Sequence, residues 1–458
     1  MIRLLWASIV REPRATIGPG IVFFASGAFV ALCLYIVVSA ASPEGQEALR
    51  AGPPGSQSVV AQIAIFLMAL GIGVPTCFVI ATVATTALTQ ERPRLAAWRL
   101  AGASPSQVKL IVLGRLICTA IVFAVVGAVL SAPLAQVAID FLLSVTTVGV
   151  PLPAHVDAGA GAVAVAIVAL LAVVGGIRPA VLAGRVPPVE AVRERREASR
   201  RLGVGQWILA GIVVAAAVFL ASGVVAQRTP GAASTLALGL AFAVALGLAL
   251  LAPVYVGPLL ALWSRLVPAS AIPAWWLARA SALQRLTTTS ASVAPLTIAM
   301  IVLGTYFSAS LTWELATDSR QQAAVNAQQG LVLFAPGAAI AILGSAVVLF
   351  AIGGNRARER AQYRTVGATT LVLAAAALIE AAMYVVTATI VSVIAILGIV
   401  QLFVAGLAAA NIAASIHLDW TALGACILVG FIAIGATTVL PVFSGTRDGD
   451  AAALVRDA

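Results

Sequence analysis

Few side chains in this 458-residue sequence can do chemistry. Cys33, Cys77, Cys118 and Cys426 all fall inside apolar stretches, and no CxxC spacing offers a metal or redox pair. They read as small core residues. The two histidines, His155 and His417, are too few to build a His-based metal site. Lys109 is the single lysine. A GxxxxGK phrase ending in Ser or Thr is absent, and no Gly-rich loop leads into a basic helix start, so a nucleotide site is not expected. Catalytic constellations are absent too. The expectation is a chain that is no enzyme, with no catalytic residue, no metal and no cofactor of its own. What remains is charge in apolar surroundings, above all Arg115 and Glu380.

The elements that position these charges follow from composition. The sequence is 61% hydrophobic and 10% charged, with a mean hydropathy of +1.07. Soluble domains run at about 45–50% apolar and about 25% charged. These values exclude a water-soluble enzyme, a disordered chain and a secreted disulfide scaffold. An all-α polytopic membrane protein is expected. Apolar runs at about 17–41, 58–88, 107–138, 158–178, 205–226, 233–262, 292–312, 331–353, 369–403 and 420–444 predict ten transmembrane helices. The run at 369–403 suits a tilted helix extended into water, or one hiding a break. The first run exceeds the apolar core of a signal peptide, about 7–15 residues, so an uncleaved span is expected.

Basic residues set the orientation. With the N-terminus in the cytoplasm, only Arg50, Arg228 and Arg320 of the 27 cations lie outside. This bias predicts both termini in the cytoplasm. It also accounts for the net charge of +10 without a nucleic-acid partner. The outer loops at about 42–57 and 313–330 leave no room for a large extracytoplasmic domain.

Two cytoplasmic loops read alike. Trp98-Arg99-Leu100-Ala101-Gly102-Ala103 and Tyr363-Arg364-Thr365-Val366-Gly367-Ala368 are offset by 265 residues. Each pairs an aromatic with Arg and ends in Gly-Ala. Arg-rich stretches holding Arg94 and Arg360 precede them, and long apolar runs follow. A second pair, Leu4-Leu5-Trp6-Ala7-Ser8 and Trp275-Trp276-Leu277-Ala278-Arg279, precedes the first span of each half. It suits helices lying in the membrane interface, or plain cytoplasmic extensions of the spans. Six spans separate equivalent loops, so the repeats are parallel. Two four-span modules, 1–193 and 272–458, are expected, joined by 194–271 with a charged linker and two extra spans. Arg115 and Glu380 then occupy equivalent positions. They would pair at depth about a pseudo-twofold axis, or each would snorkel to the surface separately.

The aromatic-Arg-x-x-Gly-Ala loop, its Arg-rich approach and the long helix after it resemble the FtsX-like permease family of MacB-type ABC transporters. Arg178-Pro179-Ala180, with Pro188 to Arg193, matches a phrase that ends the family's module. Pro441 to Arg456 is a weaker copy. The family commonly has an acidic residue early in its third helix; Glu380 fits, while the first half has Arg115. Two modules in one chain resemble the ten-span permeases of peptide-antibiotic resistance transporters. Those carry a large extracytoplasmic domain between the seventh and eighth spans, where this chain has about 20 residues.

The resemblance implies a permease of the bacterial cytoplasmic membrane and two copies of a separate ATPase subunit that bind ATP and magnesium. Cargo would be hydrophobic or amphiphilic: a peptide antibiotic, drug or lipid, moved by mechanical transmission. The expected ATPase-coupling residues are Arg94, Trp98, Arg99, Gly102 and Ala103, with Arg360, Tyr363, Arg364, Gly367 and Ala368. Glycine would permit a tight turn and the aromatics an apolar anchor. The arginines would meet acidic partner surface or anionic lipid heads. An alternative is a signal transmitter controlling a cell-wall hydrolase or sensor partner. A third, ion-coupled transport, needs intramembrane carboxylates, and only Glu380 qualifies.

Overall fold

A computed structural model of the chain describes residues 13–51, 72–145, 151–185, 203–227, 230–268, 272–319 and 323–444. Every regular element among them is helical. Lipid imposes this, because a backbone in hydrocarbon must satisfy its own polar groups. Among the described residues, nine helices are long and apolar enough to cross a membrane, and Val74–Leu88 is a shorter apolar stretch. That stretch is the described part of the span expected at 58–88. The protein is therefore an all-α, multi-pass membrane protein.

The chain divides into two compact units, Met1–Glu194 with Trp313–Ala341, and Arg195–Thr312 with Ile342–Ala458. In the first unit the helices are α1 (Pro13–Ala41), α2 (Pro43–Ala51), α3 (Val74–Leu100), α4 (Pro105–Ser131), α5 (Ala135–Val145) and α6 (Ala158–Gly184). Helix α1 packs on α4 and α6, and α3 packs on α6. Lipid tails are as apolar as leucine, so close backbone packing must hold these helices together. Glycine permits it: a methyl at Gly27 would lie 2.6 Å from Ala124 Cα, and one at Gly127 would lie 2.3 Å from the Phe24 carbonyl oxygen. At the other end, Ile36, Leu49, Ile139, Leu142, Leu143 and Leu152 bury one another.

The second unit contains α7 (Val204–Ala226), α8 (Pro230–Trp263), α9 (Pro273–Gln284), α12 (Thr370–Ala409) and α13 (Trp420–Ser444). Helices α10 (Leu286–Thr317) and α11 (Ala323–Thr365) each contribute residues to both units. Helix α12 organises the second unit, with α7, α8, α9 and α13 packed on it. It runs 40 residues without a break, about 60 Å at 1.5 Å per residue and twice the hydrocarbon thickness of about 30 Å. The Trp263 indole N–H donates to the Thr387 hydroxyl at 3.1 Å, tying α8 to α12. Gly406 lets α12 meet the backbone of α7, since a methyl there would lie 2.5 Å from the Val224 carbonyl oxygen.

The pre-span stretch of the second half is a separate helix. Helix α9 ends at Gln284, and Arg285 leaves helical geometry with φ −111° and ψ 46°. The Thr289 hydroxyl donates back across this break to the Ala282 carbonyl at 2.9 Å. Ala274, Ala278 and Ala282 form the buried stripe of α9, while Trp276 is exposed. The corresponding stretch, Leu4 to Ser8, and most of the charged linker lie outside the described residues.

Candidate functional site: two capped helix turns

The two motif copies close two helix turns of the same geometry. At the end of α3, the Gly102 N–H donates to the Arg99 carbonyl at 3.1 Å and the Ala103 N–H to the Trp98 carbonyl at 3.0 Å. At the end of α11, the Gly367 N–H donates to the Arg364 carbonyl and the Ala368 N–H to the Tyr363 carbonyl, both at 3.0 Å. This pair of bonds defines a Schellman C-cap, which needs a left-handed residue at the position occupied by glycine. Gly102 has φ +93° and Gly367 φ +95°. A Cβ on either would meet nothing within 4 Å, so backbone conformation rather than crowding demands glycine here.

The next helix begins at once. Ser104 and Gln107 form a reciprocal capping box at the start of α4, with Pro105 in its first turn. The Thr369 hydroxyl accepts the Val372 N–H at the start of α12. Each motif is thus a C-cap followed immediately by an N-cap, which fixes a short, stiff link between two long helices.

The arginines of the motif turn back on their own units. Arg99 Nη1 donates to the Gly184 carbonyl at 3.0 Å, and Arg364 Nη2 donates to the Val442 carbonyl at 3.4 Å. Both acceptors stand in the last turn of a span, α6 and α13. Such carbonyls lack helical partners and carry the negative end of the helix dipole. Arg99 and Arg364 therefore staple each turn to the last span of its half.

The aromatics differ. Trp98 packs with Ala103 against the buried Leu88, Leu95, Val108 and Ala183. Tyr363 is exposed. Ala368 sits against Leu373, Ala377 and Val442. The apolar side chains offered outward are Leu100, 61% exposed, Val366, 88%, and Leu371, 80%. Leu100 and Val366 occupy the first and the second variable position of the motif respectively, which sequence reasoning passed over; a large apolar residue between Arg and Gly in a turn is the signal that would have found them. Arg360 lies on α11, three residues before Tyr363. Its neighbour Glu359 forms an ion pair with Arg285 at the α9–α10 break, which anchors the base of α11. The Arg94 side chain lies outside the described residues.

Arg115 stands on α4 of the first unit and lines a cleft there. Glu380 stands on α12 of the second unit, is buried, and accepts a hydrogen bond from the Tyr384 hydroxyl one turn on.

A further repeat emerges at the opposite helix ends, His155-Val156-Asp157 and His417-Leu418-Asp419. The His155 N–H donates to the Ser39 hydroxyl at 2.8 Å, and the His417 N–H to the Thr312 hydroxyl at 3.3 Å. Asp157 then caps α6 by accepting the Ala160 N–H, and Asp419 caps α13 by accepting the Thr421 and Ala422 N–H groups. The two histidines thus belong to N-cap phrases that fasten the last span of each half to its first span. The shared His-x-Asp spacing was the sequence signal.

Residues 65–188 match the family model described as FtsX-like permease C-terminal. The matched stretch contains the first of the two turns and helices α3 to α6. No curated protein matches the chain.

Proposed function

We propose that this chain, whose residues 65–188 match an FtsX-like permease model, is a permease-type membrane subunit of an ABC transporter and relays ATPase movement mechanically to its spans. Permeases of this family generally work with an ATPase subunit. Here two ATPase copies would dock, one on each turn, and hold the ATP and magnesium; this chain would hydrolyse nothing. Leu100, Val366 and Tyr363 would give the apolar contact, and the stapled arginines would keep each turn rigid under load. A push on the second turn would pass along α12, which is continuous for about 60 Å.

The observation that carries this reading is the capped turn occurring twice with matched hydrogen bonds and matched positive φ. A stiff knob is what mechanical coupling requires, since a flexible loop would absorb the movement. The spans, rich in Ala, Val, Leu and Gly, suit a hydrophobic or amphiphilic cargo: a peptide antibiotic, drug or lipid, exported or extracted from the membrane in the MacB manner. The setting proposed is a bacterial cytoplasmic membrane with both termini inside. Native mass spectrometry of the purified complex tests the docking scheme. One permease chain with two ATPase subunits is expected; two permease chains with two ATPases would refute it.

A further inference from the structure

Helix α8 and the corner that leads from it into α9, both in the second unit, carry a series of exposed apolar residues. Val254, Pro258 and Leu262 follow one another at one-turn spacing on α8 and are exposed. The apolar span closes at Leu266, which is exposed too. Past it, Ile272 and Trp276 are also exposed; four residues apart, they fall on one side of α9. That side is held in place. The Trp263 and Trp275 rings meet edge to face at 6.2 Å, and Arg279 Nε donates to the Ser264 hydroxyl at 2.9 Å. This bond uses one of the five N–H donors of the guanidinium and holds it at the residue next to the exposed Arg265. Charge in this region has one sign. No Asp or Glu occurs between Glu197 and Glu314, so α7, α8 and α9 carry no acidic residue. Arg285, after α9, pairs with Glu359. Among the described residues, neither Arg265 nor Arg279 has an ion pair.

We propose that the α8–α9 corner holds an anionic phospholipid, its phosphate on Arg265 and Arg279 and an acyl chain lying back along Val254, Pro258 and Leu262. The head group then sits at the end of the span and the chain runs toward the bilayer centre, the orientation a membrane imposes. A guanidinium offers a planar fork of donors matched to phosphate oxygens. Leu266, Ile272 and Trp276 would otherwise face water; at head-group depth their apolar surface is covered, and an indole is stable there because one end of it is apolar and the other polar. A helix with an apolar side of this kind and arginine beside it lies in the interface plane. Charge favours an anionic over a zwitterionic head. A choline or ethanolamine group would bring its cation to two arginines with no carboxylate on α7, α8 or α9 to answer it. A phosphatidylglycerol head brings net negative charge instead, and basic residues at this depth attract anionic lipids. The binding does not rest on the coupling function proposed above.

The test measures binding alone, on the full chain in lipid nanodiscs. The probes are phosphatidylglycerol and phosphatidylcholine with identical chains, brominated near the carbonyl end and titrated into unlabelled lipid. Trp276-specific quenching is the difference between the native chain and Trp276→Phe. Half-maximal quenching is expected at a mole fraction about fivefold or more lower for phosphatidylglycerol, about fivefold being the effect of one arginine on an anionic lipid. Arg265→Gln should reduce this preference with unfolding unchanged, since the residue is exposed, and Arg265→Lys should keep part of it. Arg265→Gln with Arg279→Gln should abolish it. If the double variant does not fold, Arg265→Gln decides, and an unchanged preference there overturns the proposal. Equal midpoints for the two lipids in the native chain overturn it as well. So does an absence of Trp276 quenching by either lipid, which would place that side of α9 in water or against another protein. Loss of the preference on adding inorganic phosphate alone would make the site one for free phosphate and also overturn it. ATPase activity enters none of these measurements, so a failed coupling mechanism would leave the result intact.

Discussion

Replacing Gly102 and Gly367 with alanine isolates the backbone conformation of the two turns. A Cβ at either position meets nothing within 4 Å. No steric clash can therefore contribute, and the cost is that of holding an L-residue at φ +93° or +95°. A left-handed conformation costs about 1–2 kcal/mol per residue. The turns share no partner residue, so the two costs should add, giving about 2–4 kcal/mol for Gly102→Ala with Gly367→Ala. Asparagine tolerates this region best and should cost least; β-branched valine should cost most. Equilibrium unfolding of the purified chain in mixed micelles measures the series. The rank Asn, Ala, Val in increasing cost is the expected outcome. Equal costs, or a neutral alanine double variant, would refute the claim that glycine is there for its positive φ. Tryptophan at both positions separates strain from docking. With open space around each Cβ it must project outward, so it should abolish stimulation of the partner ATPase beyond the loss caused by alanine. An unchanged ATPase rate would remove the turns from coupling.

Further tests concern the packing around the turns. Arg99→Gln and Arg364→Gln should each cost about 1 kcal/mol, the net value of one hydrogen bond, and should speed amide exchange in the turns around Gly184 and Val442; unchanged exchange there would deny the staple. Gly127→Leu should destabilise the first unit by about 1–3 kcal/mol through overpacking, because its Cβ would already lie 2.3 Å from the Phe24 carbonyl oxygen. Gly424→Leu, where a Cβ meets nothing within 4 Å, should be near neutral by the same unfolding measurement.

Much of this protein is decided by local sequence. Runs of apolar residues about 20 long specify helices wherever they meet lipid, because composition and the hydrogen-bonding demand of the backbone act residue by residue. The two turns were legible for the same reason. A C-cap and the N-cap behind it involve six or seven consecutive residues, so aromatic-Arg-x-x-Gly-Ala-Ser/Thr spells its own geometry. What each side chain of the motif does was not legible. Arg99 and Arg364 reach carbonyls 85 and 78 residues away, and only the packing of the last span brings those acceptors within reach. Trp98 and Tyr363 occupy the same motif position, yet one packs inward and the other is exposed. The cleft around Arg115 belongs to tertiary structure alone, since its walls come from four helices spread over residues 19–179. Even the division of the chain departs from sequence order, with Trp313–Ala341 joining the first unit. Local rules fix what a segment becomes; a contact between distant segments depends on which faces meet, and small residues such as Gly27, Gly127 and Gly406 carry that information only through the neighbours they admit.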